Sequence, residues 1–288
     1  MAEARDFNRS EENVGNVLNM EHINLTVPDQ QTAALFYVTG LGFTRDPYVD
    51  FGTRNMWINA GAQQFHLPKS TAQKWRGHIG VVVPDLDDLR RRLKAVSELL
   101  AGTQFEWSEK NDHIAVTCPW GNAIRAYAPE SFPGTYLGIA YAQMDVSSGV
   151  AQGIADFYRS VFLAPAQVLD DGDGPRVEVS TGMDQRLIYK ETADAIDNYD
   201  GHHIAIYVAD FSSPHEFLVE RDLVTEETDQ HQYRFQAIVD PGTGETLAEL
   251  EHEVRSLRHP MYMRNLVNRN PAQSFRNYIN GRDAFYPG

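Results

Sequence analysis

The sequence predicts an α+β protein built from four tandem βαβββ modules that pair into two curved-sheet cups. Three observations predict it. Three segments read almost alike: His22-Ile-Asn-Leu-Thr-Val-Pro-Asp29, His78-Ile-Gly-Val-Val-Val-Pro-Asp85 and His203-Ile-Ala-Ile-Tyr-Val-Ala-Asp210. Each alternates apolar residues as a half-buried strand should. Each then runs through an Asp suited to cap a helix into a helical pattern: QQTAALFYVTGLGF, LDDLRRRLKAVSELL and FSSPHEFLVERDLV. After every helix come three short alternating segments broken by Gly, Asp or Pro, such as NMWINAG then QQFHLP, and HIAVTCP then NAIRAYAP.

The modules span roughly 20–68, 76–129, 140–192 and 201–254. The third copy in chain order is the divergent one. Phe157-Tyr158 matches Phe36-Tyr37, and counting back from that pair puts Gln143 where His22 stands; an alternative register, set by the Asp seven residues on, puts Gly138 there. Its later strands are RVEVSTG and RLIYKET, and those of the fourth module are YRFQAIVDP and TLAELEHEV. The chain divides into a polar leader at 1–16, an N-terminal half at 17–132, a C-terminal half at 133–256 and an arm at 257–288. One such unit buries too little surface to stand alone, so its strands must continue into a partner's sheet.

Composition narrows the function. Apolar residues make up 42% and aromatics 11%, as in a folded globular chain rather than a disordered one. A formal charge of -15, from 40 acids against 25 bases, repels phosphate backbones and anionic lipid, so nucleic acid and membrane are excluded as expected partners. No stretch approaches the roughly 20 apolar residues needed to span a bilayer. The single cysteine, Cys118, allows no internal disulfide and no thiolate zinc site, which suits a cytoplasmic location. Histidine opening three equivalent strands is an unusual choice for packing alone and points to ligand chemistry.

These features resemble the vicinal oxygen chelate superfamily, which includes glyoxalase I, extradiol dioxygenases and bleomycin-resistance proteins, over about residues 20 to 254. The resemblance implies that two modules form a cup and that metal ligands come from the first and last strand of each. The first-strand positions are His22, His78, Gln143 and His203. The last-strand positions are His66, Arg125, Tyr189 and Glu249, with Glu251 one strand period further on the same face.

Pairing decides the site. If modules one and two pair, Arg125 stands beside His22, His66 and His78, a permanent cation that cannot ligate. The other cup would then hold Gln143, Tyr189, His203 and a Glu, a set resembling glyoxalase I. If modules one and four pair, one cup collects His22, His66, His203 and Glu249 or Glu251. That arrangement resembles the hydroquinone-cleaving dioxygenases and leaves His78, Arg125, Gln143 and Tyr189 as substrate-binding candidates. Nitrogen and carboxylate ligands suit a divalent metal, Fe(II) first, with Mn(II) or Zn(II) as alternatives.

Residues 231–249 resemble the extradiol signature, which assigns His231 and Tyr233 as acid/base and hydrogen-bonding groups, although Ala237 occupies the usual Tyr position. Arg255 and the arm residues Arg258, Arg264, Arg269 and Arg276 suit two readings: binding an anionic substrate group or closing a cup, or pairing with surface acids or a second subunit of a homo-oligomer. The leading expectation is a metal-dependent enzyme acting with O2 on a small catechol- or hydroquinone-like molecule. The alternatives are a glyoxalase-like isomerase, epimerase or lyase, and a metal-free small-molecule-binding protein.

Overall fold

The computed structural model describes residues 8–50, 52–170, 172–270 and 275–277. Residues 1–7 of the polar leader, and 271–274 and 278–288 of the arm, lie outside the described residues. Each His-led segment forms a strand followed by a helix. Module one contains β1 (Val17–Asn24), α1 (Gln30–Ala34, continuing as a π-helical turn over Leu35–Gly40), β2 (Thr44–Asp50), β3 (Asn55–Ala60) and β4 (Gln63–Pro68). Module two contains β5 (Gly77–Val82), α2 (Leu86–Val96), β6 (Glu106–Glu109), β7 (Ile114–Thr117) and β8 (Ala123–Tyr127). Module three contains β9 (Gly138–Ser147), α3 (Ala151–Val161), β10 (Ala166–Asp170), β11 (Pro175–Ser180) and β12 (Arg186–Thr192). Module four contains β13 (His203–Val208), α4 (Ser212–Val219), β14 (Val224–Asp229), β15 (Gln232–Val239) and β16 (Thr246–Ser256).

The helix starts explain why three copies are easy to see and one is not. The Asp29, Asp85 and Asp210 carboxylates accept hydrogen bonds from the amides of Thr32 (2.7 Å), Asp87 (2.7 Å) and Ser213 (3.1 Å). They satisfy amides that the first helical turn leaves without partners. In module three Val150 holds the cap position, and Glu191, far along the chain, accepts from the Ala151 amide at 2.7 Å instead. The cap is conserved in function but supplied from β12.

The strands make two eight-stranded sheets, ordered β14-β15-β16-β13-β1-β4-β3-β2 and β10-β11-β12-β9-β5-β8-β7-β6. Antiparallel pairing of β1 with β13 joins modules one and four, and β5 with β9 joins modules two and three. Each half of the sequence therefore supplies one module to each sheet. Alternation along the strands separates two faces. One face carries Ile23, Phe65, Ile79, Ile124 and Phe235, fully or almost fully buried in one apolar core with the helical residues Phe36, Leu93 and Phe157. The other face of each sheet is the inside of a cup.

Candidate metal centre

The first cup is built on the β13-β1-β4 seam. Asn24 lies opposite His203 on β13 and opposite His66 on β4, while His22 stands two residues earlier on the same face. This register converges His22, His66 and His203: a ligating nitrogen from each lies within 4.8 Å of those from the other two. His22 is 1% exposed, His203 is buried and His66 is half-buried.

All three rings are held neutral. Burial lowers the His22 pKa to about 3, with Arg255 and Arg234 adding to the effect against Glu253. Burial lowers His66 to about 2 and pushes His203 well below the ordinary histidine value, reinforced by the neighbouring His22. A neutral imidazole is the form that ligates. The Nε2 atoms of His22, His66 and His203 are buried without hydrogen-bond partners among the described residues. Three buried nitrogens without partners would be costly if left so, and a divalent cation held by the three converging rings can satisfy them. The donor set therefore fits a metal.

A β-bulge supplies the support. The register shifts between Met20 and His22, so Glu21 is accommodated in the seam beside His22 and its carboxylate reaches His22 Nδ1 at 3.1 Å. Fixing Nδ1 in this way leaves Nε2 for the ion. Glu21 is buried, which raises its pKa, and Arg255 together with the Tyr207 hydroxyl (3.1 Å) opposes that rise. Arg255 bridges Glu21 and Glu253, and Arg234 reaches both Glu251 (2.7 Å) and Glu253 (2.6 Å). Glu251 and Glu253 lie 3.5 Å and 3.7 Å from His203 Nδ1 and Nε2. Trp57 stacks on His66 with ring centroids 3.9 Å apart and walls the cup on that side.

Glu253 is the residue that sequence reasoning missed. In module one His66 pairs with the residue two beyond His22; in module four the residue two beyond His203 is Ala205, and its partner is Glu253. Glu253 is thus the counterpart of His66, and it is 3% exposed. Glu251 lies directly opposite His203, at the edge of the cluster. Glu249 is exposed and bonded to Gln236 at 2.7 Å, so it is not among the converging groups. The acids alternate along β16, so all three were visible on one face. Choosing among them needed the strand register, because the β15–β16 connection (Val239 to Thr246) is longer than the β3–β4 one (Ala60 to Gln63).

Other expected site residues lie elsewhere. Tyr233 points behind the sheet, 1% exposed, with its ring 5.0 Å from Phe211 and 4.8 Å from His215. It belongs to the core because it alternates with the cup-facing Gln232 and Arg234. His231 sits at the β14–β15 turn, with its amide bonded to Asp229 and its carbonyl accepting from the Ser256 amide at 2.9 Å. Tyr189 is fully buried, its hydroxyl 2.5 Å from that of Tyr158 on α3, so it too faces the core rather than a cup. Arg255 is buried between two carboxylates and braces them.

His78, Arg125 and Gln143 lie in the second cup. The counterpart of His203 there is Tyr141, not Gln143: Tyr141 pairs with Gly80 as His203 pairs with Asn24. Gln143 is one strand period away on the same face. Ile188, opposite Gln143, takes the place of Glu253. A set of His78, Arg125, Tyr141 and Ile188 does not fit a metal. The arm, by contrast, belongs to the first cup. Tyr262 packs on Tyr207 (4.9 Å), Arg264 pairs with the buried Asp46 (2.8 Å), and Asn59 donates to the Val267 carbonyl (2.9 Å). Tyr207, Gln64 and Asn59 all face the cup, so residues 257–268 run across its mouth.

Comparison with known proteins agrees with this architecture. Residues 19–125 match the family model described as Glyoxalase/Bleomycin resistance protein/Dioxygenase superfamily. No curated protein sequence matches the chain significantly. Among solved structures, glyoxalase I from Zea mays superposes with a TM-score of 0.56 at 12% identity, over 83% of this chain and 92% of that one. A protein described as a "putative dioxygenase" from Bacillus subtilis subsp. subtilis str. 168 gives 0.55 at 15% identity, over 84% and 86%. At such identities the likeness is one of fold. Residues 19–125 thus match the model of the glyoxalase, bleomycin resistance and dioxygenase superfamily, and the chain shares its fold with these solved structures.

Proposed function

We propose that the protein is a metal-dependent dioxygenase that opens the ring of a catechol- or hydroquinone-like molecule in the first cup, with His22, His203 and Glu253 as core ligands and His66 beside them. The observation that carries this reading is the convergence of three imidazoles, each with an Nε2 that has no hydrogen-bond partner among the described residues, with the buried Glu253 carboxylate 3.7 Å from His203 Nε2. Two imidazoles and a carboxylate with further positions open are the ligand type of non-haem Fe(II) oxygenases. When bound, the metal supplies a Lewis acid for two substrate oxygens and a site for O2.

The chain's own residues do the rest. Arg234 and Arg255 hold the Glu253 carboxylate in place, and Glu21 orients the His22 ring. Trp57 offers an aromatic wall, and the arm over the cup excludes water. Glu251, raised in pKa by burial and half-exposed at the cluster's edge, is placed to take a phenolic proton. Asn24, whose Oδ1 is buried on the cup floor without a partner among the described residues, is a further group that can accept a hydrogen bond from substrate.

The test is anaerobic loading with Fe(II), followed by O2 uptake with catechol, hydroquinone and substituted forms. Uptake matched by ring-opened product is the expected result. Turnover of a hemithioacetal or another isomerisable substrate with Ni(II) or Zn(II), with no O2 uptake, would replace this reading with the redox-neutral one. That second reading draws on the same cup, because a carboxylate beside a Lewis acid can also move a proton between carbons.

A further inference from the structure

The second cup carries no metal-ligand set among the described residues, yet it has a cavity. An open cleft of about 750 Å3 is lined by His78, Lys110, His113, Arg125, Gln143 and Asp145, among others. We propose that it is a binding site for a small planar monocarboxylate, held on Arg125. Comparing the two cups position by position carries the inference. Arg125 pairs with Gly80 as His66 pairs with Asn24, so a permanent cation stands where the first cup places one of its three converging histidines. Among the described residues Arg125 makes no ion pair with a carboxylate, and it is exposed. Its planar fork is matched to a carboxylate's two oxygens.

Beside the cleft the strand seam is rebuilt with aromatic residues. A Cβ at Gly80 would lie 2.1 Å from the Tyr141 ring, so only glycine lets that ring lie across the strand. Tyr141 is bonded to Tyr127 (2.9 Å) and to His78 Nε2 (3.1 Å), and Phe132 packs on both tyrosines. These residues and Ile188 form their own small apolar cluster, separate from the main core. His78 and His113, which line the cleft and contact Tyr141 and Tyr127, offer flat rings for a planar ligand whose carboxylate reaches Arg125. Glu109 and Asp112 on the cleft wall, and Asp145 near Gln143, repel a second negative charge, which selects a monoanion over a dianion.

The test uses benzoate and cinnamate as probes, titrated calorimetrically into the full-length protein with and without metal. One equivalent of each is expected to bind at about 1 mM or tighter, as one guanidinium–carboxylate fork and a ring contact allow. Benzamide should bind at least about tenfold more weakly, because the charge-assisted pair is lost. Arg125→Met should weaken benzoate by at least about tenfold with metal content unchanged, and Arg125→Lys should fall between. Binding that is equal for benzoate and benzamide, equal in Arg125→Met, or absent altogether would overturn the proposal. So would binding abolished by His203→Ala but not by Arg125→Met, since the ligand would then occupy the first cup. The outcome is independent of whether the first cup opens rings.

Discussion

At the scale of single residues, the two cups differ in what stands at equivalent strand positions. Glu253 is the sharpest case. If it completes the ligand set, Glu253→Ala should weaken metal binding by about 100-fold or more, while Glu249→Ala should leave it unchanged; metal titration of the three proteins checks this. Glu251→Gln should keep the metal and lower turnover, a separation that activity and metal content measured together will reveal. Arg255 has a different role. Replacing it with Met strands Glu21 in a buried place without its cation and leaves Glu253 to Arg234 alone, at an expected cost of about 3–5 kcal/mol of stability, read from denaturant midpoints. His22 and His203 were legible in the sequence because a histidine opens three of the modules, and His66 because it is a polar residue between apolar neighbours on a last strand. Glu253 was hidden among alternating acids, and Tyr233 and Tyr189 were assigned one strand face too far, since periodicity alone gives alternation but not which set faces the cup.

At the scale of elements, strand register and caps carry the argument. The Asp caps made modules one, two and four visible, and their absence in module three, where Glu191 substitutes from another strand, blurred its register. Counting from the helix led to Gln143, whereas the sheet register selects Tyr141, because β9 and α3 are joined through a turn that shifts the count. Gly80 tests this reading of the second cup. Gly80→Ala places a methyl against the Tyr141 ring, so it should cost about 1–3 kcal/mol and displace that ring while leaving metal binding in the first cup intact. Loss of the metal in that variant would mean the two sheets are coupled more tightly than their separate cups suggest.

At the scale of the whole molecule, modules pair across the sequence: the outer two make the cup that gathers His22, His66 and His203, and the inner two make the other. The repeat and the two-cup architecture were legible from the alternation and capping pattern. The choice of partners was not, because it depends on which first strands meet edge to edge, and every first strand carries the same kind of apolar alternation. Several histidines are buried neutral in this arrangement, which sets how stability depends on pH. His252 is fully buried, stacked on Phe235 at 4.5 Å with the Tyr158 hydroxyl 2.6 Å from its Nε2, and burial lowers its pKa to about 4. Its folded value lies below the unfolded one near 6.5, so the unfolded chain binds the extra proton between them. The contribution is complete above about pH 6.5 and is lost as pH falls toward 4, roughly 3 kcal/mol for this residue. Urea midpoints of the metal-free protein should fall across that window, and His252→Phe should flatten part of the slope.

The central claim is that one cup, and only one, is a metal centre built from modules one and four. Anaerobic titration with Co(II) as a spectroscopic stand-in tests it most directly. One tightly held equivalent per chain is expected, lost in both His203→Ala and Glu253→Ala and retained in His78→Ala. Two equivalents, none, or one that survives His203→Ala would contradict it.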